Sequence, residues 1–215
     1  MNVIIFGTKE IAELASFYFK SDSLINPVAF CEDEKFITES THKGLPVVPF
    51  EEIEKLYPPT ENLIFIPLYD NDLRAKKVLE SKLKGYRFAS YLSSRAVNLS
   101  DSIGENCFIM ENNVIQPYVK IGNNVILWSG NHIGHHSIIG DNVFFSSHVV
   151  LSGKCIVKDF AWFGVNSTIR DGLTIETGSF IGMGAVVTRS TKPYIKYIGN
   201  PAKEFGYVDK KQTDI

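Results

Sequence analysis

The chain has 215 residues, of which 44% are hydrophobic and 21% charged, and its formal net charge at pH 7 is −2. This length accommodates one large domain or two small ones with a sizeable core. The nearly balanced charge gives no reason to expect nucleic acid or an anionic membrane as a partner, and no apolar run approaches the length that spans a bilayer. The first residues lack the features of a secretory signal, and the three cysteines show no close pairing, so we expect buried thiols in a reducing cytoplasm.

Residues 1–90 alternate between short apolar runs and stretches with helical spacing. Strands are predicted over 2–6, 27–31, 45–48, 63–68 and 86–89, and helices over 10–19, 51–56 and 70–83. Short buried strands that alternate with helices are typical of a parallel α/β sheet. The sequence therefore predicts a small α/β domain that ends near residues 90–96.

From Val97 onward, a large aliphatic residue or phenylalanine recurs at every sixth position. These repeat positions are Val97, Ile103, Ile109, Ile115, Ile121, Leu127, Ile133, Ile139, Phe145, Leu151, Val157, Phe163, Ile169, Ile175, Ile181 and Val187. Neither a helix nor a simple strand has this period. A six-residue repeat is typical of a parallel β-helix, in which each hexad forms one short strand and one turn. With three hexads in each coil, the repeat predicts about five coils.

The other positions of the hexad agree with this architecture. Four residues after most repeat positions the side chain is small or compact, as at Cys107, Val119, Val125, Ser137, Val143, Val149, Cys155, Ala161, Ser167, Ser179 and Ala185. We expect these side chains to point inward, because a narrow prism leaves little room beside the large aliphatic residue. Glycine, asparagine and aspartate crowd the remaining positions, and they tolerate the backbone of a tight turn.

The segments IGENCF, IGNNVI, IGHHSI and IGDNVF resemble the hexapeptide repeat of the left-handed β-helix acyltransferases, and residues 187–189 and 199–203 resemble the sequence that closes that helix. With its α/β domain, the chain resembles the members that modify nucleotide-linked amino sugars or sialic acids. The resemblance implies a Rossmann-like nucleotide-sugar domain over 1–90, a left-handed β-helix over 91–192 and a tail over 193–215 that closes the helix. It also implies that acyl-CoA binds to the helix and that a homotrimer builds the site between subunits.

The resemblance assigns two loops of the α/β domain to the nucleotide sugar. In the family, the loop after the first strand is glycine-rich and binds phosphate through backbone N–H groups. Here it reads Gly7-Thr8-Lys9, which keeps only the first glycine and adds a positive charge. Glu32 and Asp33 follow the second strand, where relatives place acidic residues against the base. Without the resemblance, the first loop is a plain strand-to-helix turn and the acids are solvated.

A third loop follows the predicted fourth strand. Asn71 and Arg74 match an Asn-x-x-Arg of the relatives, and Tyr69 and Asn71 are predicted to line the nucleotide cleft at the carboxyl end of the strands. Helix capping and a surface ion pair are the structural alternative for Asn71 and Arg74.

The predicted catalytic residues lie within a histidine-rich segment that contains His132, His135 and His136. Acyl transfer to an amine or hydroxyl requires a base, and histidine titrates near neutrality. His135 lies where related sugar acetyltransferases carry their catalytic histidine, so the resemblance implies that it is the base; a solvated turn histidine is the alternative. His136 replaces the acidic residue that some relatives carry beside the base. We assign His136 and Asn131 to the catalytic site as well, with Asn131 as a candidate to orient the imidazole.

The same segment raises a zinc site as another possibility, because some left-handed β-helix proteins bind zinc through three histidines. Adjacent histidines generally diverge, and His148 is the one histidine in approximate register on another coil. We therefore predict no metal, and we interpret His132 and His148 as structural or substrate-contacting.

The resemblance places acyl-CoA in a groove between neighbouring coils, toward the later repeats. The residues assigned to it are Phe144, Gly164, Val165, Gly182 and Met183. Small residues allow the peptide-like pantetheine arm to approach the backbone, although the turns of the hexads alone also favour glycine. The basic residues Arg189, Lys192, Lys196 and Lys203 are candidates for the phosphates of CoA.

The predicted function is transfer of an acyl group, most simply acetyl, from acyl-CoA to the amino group of a dTDP-, UDP- or GDP-linked amino deoxy sugar. Such a reaction serves bacterial surface glycans such as lipopolysaccharide O-antigen, and it needs no bound cofactor. Two alternatives stay open: O-acetylation of a sugar of the sialic acid type, and a non-catalytic β-helix binding module, since a fold alone does not give a function.

Overall fold

The computed structural model describes residues 1–208. The α-helices are α1 (Glu10–Asp22), α2 (Ile53–Leu56) and α3 (Asn71–Leu83), with 3-10 turns at Glu34–Phe36 and Phe50–Glu52. The strands are β1 (Asn2–Phe6), β2 (Asn26–Glu32), β3 (Thr41–His42), β4 (Leu45–Pro49), β5 (Asn62–Phe65), β6 (Tyr91–Leu92), β7 (Val97–Asn98), β8 (Ser102–Ile103), β9 (Phe108–Ile109), β10 (Val114–Ile115), β11 (Lys120–Ile121), β12 (Ile126–Leu127), β13 (His132–Ile133), β14 (Ile138–Ile139), β15 (Phe144–Phe145), β16 (Val150–Leu151), β17 (Ile156–Val157), β18 (Trp162–Phe163), β19 (Thr168–Ile169), β20 (Thr174–Ile175), β21 (Phe180–Ile181), β22 (Val186–Val187), β23 (Ile195–Ile198) and β24 (Lys203–Tyr207). Contacts divide the chain into two compact units, Met1–Tyr91 and Leu92–Ile215. Within 1–208, none of the helices has both the length and the hydropathy that a bilayer crossing requires.

The first unit is built on a five-stranded sheet with the order β3-β4-β2-β1-β5. The four strands from β4 to β5 in this order are parallel, as predicted, and β3 pairs antiparallel with β4. Because β1, β2, β4 and β5 run in the same direction, their carboxyl ends lie along one edge of the sheet. Ligands of open α/β sheets bind at this edge.

Three details of the first unit differ from the prediction. The hairpin β3–β4 was not predicted; it turns at Lys43 and Gly44, whose φ angles of 46° and 77° form the two-residue connection that antiparallel strands favour. Strand β5 ends at Phe65, three residues early. The last predicted strand, 86–89, forms only a single bridge between Phe88 and Ile64.

The second unit is a parallel β-helix in which β8 to β22 form five three-strand coils, as predicted. Its first face has the strand order β22-β19-β16-β13-β10-β7, and its second face has the order β20-β17-β14-β11-β8. On the third face, β9, β12, β15, β18 and β21 are followed by β23 and β24. We call the turns between the third and first faces the first corner (110–113, 128–131, 146–149, 164–167, 182–185). The turns between the first and second faces are the second corner (99–101, 116–119, 134–137, 152–155, 170–173).

The interior of the β-helix confirms the six-residue repeat. Every repeat position from Ile109 to Val187 is at most 3% exposed, and the compact positions four residues later are fully buried, including Cys107 and Cys155. Stacking of equivalent side chains is close, since the Phe145 and Phe163 rings lie 4.2 Å apart and nearly parallel. The repeat starts one step later than predicted, because Val97 pairs with the outward-facing Val114 and is 52% exposed.

The predicted tail contributes two strands at the end of the β-helix. Strand β23 extends the third face by pairing parallel with β21, and β24 folds back on β23 in the antiparallel direction. Residues 209–215 of the predicted tail lie outside the described residues.

Candidate active site

His135 and His136 are both exposed and lie side by side at the second corner. The His135 backbone is held on two sides: its N–H donates to Gln116 Oε1 (2.8 Å), and its carbonyl accepts from the Lys154 N–H on the next coil (2.8 Å). The corner is therefore rigid at the point where it presents the imidazole to solvent. This is the arrangement that a general base requires.

The two imidazoles contact each other directly. His135 Nδ1 lies 3.0 Å from His136 Nδ1, and the two ring planes are perpendicular. The His136 ring also packs on Tyr118, with 4.6 Å between the ring centroids. The Nε2 edge of His135 lies over Gly153, where a Cβ atom would come within 2.8 Å of Nε2. Both sides of the His135 ring are thus fixed by neighbours.

The structure corrects the role assigned to Asn131. Its side chain points into the β-helix from the first corner and is only 1% exposed. There Oδ1 accepts from the Val149 N–H (2.8 Å), and Nδ2 donates to the Trp128 carbonyl. Because both ends of the amide serve buried main-chain groups, Asn131 stabilises the coil and does not orient His135.

The other histidines of the β-helix are separated from this pair. His132 faces outward on β13, and the His148 ring packs on Gly130 at the first corner. Among residues 1–208, no group of three or more His, Cys, Asp or Glu side chains has the arrangement of a metal site.

Four of the five residues assigned to acyl-CoA lie at the first corner, not beside the histidines: Gly164, Val165, Gly182 and Met183. Gly164 lies directly beneath Gly182 and Met183, and a Cβ at Gly164 would come within 2.5 Å of the Met183 nitrogen. Val165 and Met183 are exposed next to them. The close packing of the two coils is thus sufficient to explain why residue 164 is a glycine. The exposed surface at this position is formed by Val165 and Met183.

Phe144 differs from the expectation because it is only 3% exposed. It stacks on Trp162 on the third face, and Trp162 stacks on Phe180, with 5.4 Å and 4.6 Å between the ring centroids. Trp162 and Phe180 are half-buried and so expose more ring surface than Phe144.

The tail contributes a separate cavity of about 400 Å³. Arg189 and Lys203 line it, whereas the predicted Lys192 instead forms an ion pair with Glu204 at 2.9 Å. Lys196, on β23, is not part of the lining.

In the first unit, a cleft of about 1030 Å³ opens at the carboxyl ends of the parallel strands. Of the predicted nucleotide residues, Lys9, Glu32 and Asp33 line it, and Gly7, Thr8, Tyr69 and Asn71 do not. The remaining lining residues are Lys35, Phe36, Glu51, Glu54, Leu68, Leu73, Lys76, Glu80, Leu83 and Lys84, together with Phe6, Phe50 and Lys77. The cleft thus combines aromatic walls with charges of both signs.

In the lining of the cleft, the buried Lys77 ammonium group lies between aromatic faces and carboxylates. Its Nζ is 5.2 Å from the Phe6 ring centroid and 4.8 Å from that of Phe50, and it donates to Asp33 Oδ1 (2.5 Å) and Glu80 Oε2 (2.8 Å). Burial alone would lower the pKa of Lys77, but its bonds to Asp33 and Glu80 outweigh burial and raise the pKa. Lys77 is therefore a firmly charged group that fixes the Asp33 carboxylate.

Glu32 lies next to this pair and is half-buried. Burial and the charge of Asp33 raise the pKa of Glu32, although the Asp33 N–H, which donates to Glu32 Oε1 at 3.0 Å, opposes the shift. A carboxyl group in this position has an acceptor oxygen to offer a base N–H.

The loop after β1 bends at Gly7, and the helix that follows it, α1, begins with an acidic residue. Gly7 adopts a φ of 97°, and its N–H donates to the Cys31 carbonyl (2.7 Å). Glu10 occupies the first turn of α1. Burial raises the pKa of Tyr69, and the charge of Glu10 adds to this shift. An acidic residue at this helix terminus opposes a phosphate, so Lys9 carries the favourable electrostatics of the loop.

Asn71 and Arg74 form a structural pair. Arg74 is fully buried, and its guanidinium donates to Asn71 Oδ1 (2.8 Å) and to the Leu68 carbonyl. Asp70, not Asn71, caps α3 by accepting from the Asp72 and Leu73 N–H groups. Arg74 therefore fixes the loop between β5 and α3 that borders the cleft.

Sequence reasoning missed Lys76, Lys77, Phe6 and Phe50 as cleft residues. Lys77 carried a detectable signal, because it occupies the buried face of α3 one position before Val78, where a lysine needs a partner. Lys76 and Lys9 are exposed, and within residues 1–208 neither forms an ion pair. These two lysines are available to an anionic ligand.

Comparison with known proteins matches both parts of this architecture. The family described as bacterial transferase hexapeptide (six repeats) matches residues 102–134 and 118–153. A Staphylococcus aureus protein named "Putative acetyltransferase" is 40% identical over 50 residues, which are 23% of this chain and 25% of that protein. The chain therefore spans about a quarter of the length of this curated relative.

Two solved structures resemble the chain over nearly its whole length. The acetyltransferase domain of PglB from Neisseria gonorrhoeae is 21% identical, with a TM-score of 0.82 over 95% of this chain and 99% of that one. A variant of perosamine N-acetyltransferase from Caulobacter crescentus, in complex with CoA and GDP-perosamine, is 23% identical, with a TM-score of 0.84 over 96% of this chain and 97% of that one. The predicted fold class is thereby confirmed: the chain carries the hexapeptide repeat of bacterial transferases on a left-handed β-helix that follows a small α/β unit.

Proposed function

We propose that this protein transfers an acetyl group from acetyl-CoA to the amino group of a nucleotide-linked amino sugar. The observation that carries the proposal is the exposed imidazole of His135, held on a rigid corner of the hexapeptide β-helix by Gln116 and Lys154. A base with a fixed backbone and an accessible ring meets the geometric requirement of proton removal from an attacking amine. The solved structure with CoA and GDP-perosamine bound supports the two substrate classes.

The reaction follows from one base and two aligned substrates. The amine lone pair attacks the thioester carbonyl carbon, the new C–N bond forms, and the amine proton passes to His135 Nε2. The C–S bond then breaks, and the departing sulfur takes up a proton, so that an amide and CoA–SH are released. Holding both substrates in one complex supplies much of the rate, and backbone N–H groups of the turns can stabilise the oxyanion.

The cleft of the first unit is proposed to bind the nucleotide. Glu32 and Asp33 supply acceptors for a base N–H, and the exposed Phe36 supplies aromatic surface. Lys9 and Lys76 supply the charge that a pyrophosphate requires. The nucleotide end of the substrate and the reacting end are thus recognised by different units of the chain.

A homotrimer is proposed because the first and second corners are separated by the first face. His135 lies at the second corner and four of the five residues assigned to acyl-CoA lie at the first, so a symmetric assembly that brings unlike corners together completes the site. Exposed aliphatic residues support such an interface: Val114 and Val150 on the first face, and Ile138 and Ile156 on the second, flank the histidine corner. Sedimentation equilibrium should give three chains, and a monomer at micromolar concentration would contradict the assembly.

The substrate is tested with dTDP-, UDP- and GDP-linked amino sugars, each incubated with acetyl-CoA while free thiol is measured. Release of CoA that depends on one amino sugar, with a product resistant to hydroxylamine, is the expected result for an amide. A product that hydroxylamine cleaves indicates O-acetylation instead. No thiol release with any sugar, including sialic acid, would favour a binding module without catalytic activity.

The division between the two units is tested with Asp33→Asn and Asp33→Ala. We expect both variants to raise the Kd for the nucleotide sugar and to leave the Kd for acetyl-CoA unchanged. Asp33→Asn keeps an acceptor for Lys77 and is the milder control. Equal loss of acetyl-CoA affinity would show that the cleft does not act independently of the β-helix.

In cellular terms, the proposal is a cytoplasmic enzyme that prepares amino sugars for bacterial surface glycans such as lipopolysaccharide O-antigen. The substrate chemistry supports this role, because nucleotide-linked sugars are activated donors for glycan assembly.

A further inference from the structure

The contact between His135 and His136 restricts where protons can lie. The two Nδ1 atoms are 3.0 Å apart, which is a hydrogen-bond distance. A neutral imidazole carries one N–H and one lone pair, so one ring donates through Nδ1 and the other accepts. Only two arrangements of the neutral pair satisfy this contact.

These two arrangements differ in catalytic competence. If His135 donates through Nδ1–H, its Nε2 carries the lone pair and can accept a proton from the substrate amine. If His136 donates instead, the His135 Nε2 is already protonated and cannot act as a base. After proton transfer, the His135 imidazolium still donates through Nδ1, now in a charge-assisted and stronger hydrogen bond.

The surroundings of His136 fix it as a partner for His135. Its backbone adopts a φ of 60°, in the left-handed region where histidine is enriched among non-glycine residues. Its N–H donates to the Pro117 carbonyl (3.2 Å), and its ring rests on Tyr118. His136 therefore presents Nδ1 to His135 from a constrained position and does not depend on a flexible side chain.

We propose that His136 is the positioning residue of the base: its Nδ1 accepts the Nδ1–H of His135 and holds the tautomer whose Nε2 lone pair is free to react. This inference rests on the proposed function, in which His135 is the base. It gives His136 the orienting role first assigned to Asn131, and it makes an uncharged imidazole the acceptor.

The test combines His136→Phe, His136→Asp and the matched control Asn112→Phe. Phenylalanine keeps a flat ring but removes the acceptor, and Phe160 and Tyr118 show that this chain accepts aromatic residues at φ values of 62° and 65°. Asn112 is exposed, has the same backbone conformation (φ 60°) and belongs to none of the proposed sites. We expect His136→Phe to lower kcat about tenfold to a hundredfold, as loss of a group that orients a metal-bound histidine does, with the KM of both substrates little changed. His136→Asp should restore most of kcat, because a carboxylate also accepts from Nδ1–H, and Asn112→Phe should leave kcat unchanged.

The second measurement is independent of substrate. Imidazole ¹⁵N spectra of the unliganded protein report which ring nitrogen carries hydrogen, and we expect His135 to be protonated at Nδ1 in the native chain and in His136→Asp. In His136→Phe this tautomer should lose its dominance. Retention of full kcat by His136→Phe, failure of His136→Asp to restore activity in a folded protein, or an Nε2-protonated His135 in the native chain would each overturn the proposal. If no amino sugar is acetylated, the proposed function fails, and the ¹⁵N spectra still decide the arrangement of the pair.

Discussion

Gly153→Ala should move the base without destabilising the protein. Gly153 lies on the coil after His135, and its φ is outside the left-handed region, so alanine is compatible with its backbone. The new Cβ would lie 2.8 Å from both Cε1 and Nε2 of the imidazole, whereas ordinary contact is about 3.5 Å. The ring must therefore move by roughly 0.7 Å, and a misplacement of about 1 Å can cost a factor of about 100 in rate. We expect kcat to fall about 10- to 100-fold while the melting temperature stays the same or rises slightly, since replacing glycine restricts the unfolded chain.

The matched control is Gly172→Ala, one coil further at the same corner. Gly172 has a φ of 70°, and no atom lies within 4 Å of the position that a Cβ would take, so alanine there is strained but touches nothing. It should lower the free energy of unfolding by about 1–2 kcal/mol and leave kcat unchanged. The two variants thus separate catalysis from stability, which are measured by steady-state kinetics and urea unfolding. Full activity in Gly153→Ala would refute the view that the His135 ring, in the position described, is the base.

Three further predictions concern single side chains. His135→Ala should lower kcat by about 100-fold or more, the contribution of a general base, with sedimentation and melting temperature unchanged; near-native turnover would show that positioning alone drives the reaction. Asn131→Ala should leave the buried Val149 N–H unpaired and lower the free energy of unfolding by about 1–3 kcal/mol, with a much smaller effect on kcat than His135→Ala. Because burial and the charge of Asp33 raise the pKa of Glu32 in the folded state, its contribution to stability is present at acid pH and is lost as the pH rises through the folded pKa. Glu32→Gln should therefore gain stability relative to the native chain as the pH rises above the ordinary carboxyl range, and a pH-independent difference in urea unfolding would contradict this.

The β-helix was predictable because its period is imposed by a steric constraint. Each repeat position from Ile109 to Val187 must fill the same narrow interior, so the pattern survives in sequence without reference to distant contacts. The start of the repeat was less predictable. Val97 is a valine at the expected sixth position, but in the structure it pairs with Val114 and not with the repeat position Ile115. Hydrophobicity alone does not distinguish an inward valine from an outward one at the open end of a coil.

The placement of the two histidines was predictable, but the contact between them was not. The sequence placed His135 and His136 at one turn, but the hydrogen bond between them depends on side-chain conformations that the repeat does not determine. Asn131 was misassigned because it lies four residues from His135 in sequence, whereas four residues along a hexad lead to a different corner and to the interior. Lys77 was missed because its partner Asp33 is 44 residues away and is brought to it only by the order of the strands.

Aromatic and imidazole rings at the corners of this β-helix lie against glycines of adjacent coils. Some of these glycines have a positive φ, and others do not. His148 packs on Gly130 and Tyr194 on Gly178, and both glycines have positive φ values that would favour glycine without any neighbour. Gly153 has no such backbone requirement, and glycine where none is needed loses about 0.4–1 kcal/mol relative to alanine through the entropy of the unfolded chain. What Gly153 provides is room for the Nε2 edge of His135. Glycine at position 153 therefore lowers the stability of the chain where it makes room for the imidazole of His135. This trade-off between stability and activity is expected of a side chain that acts on a substrate.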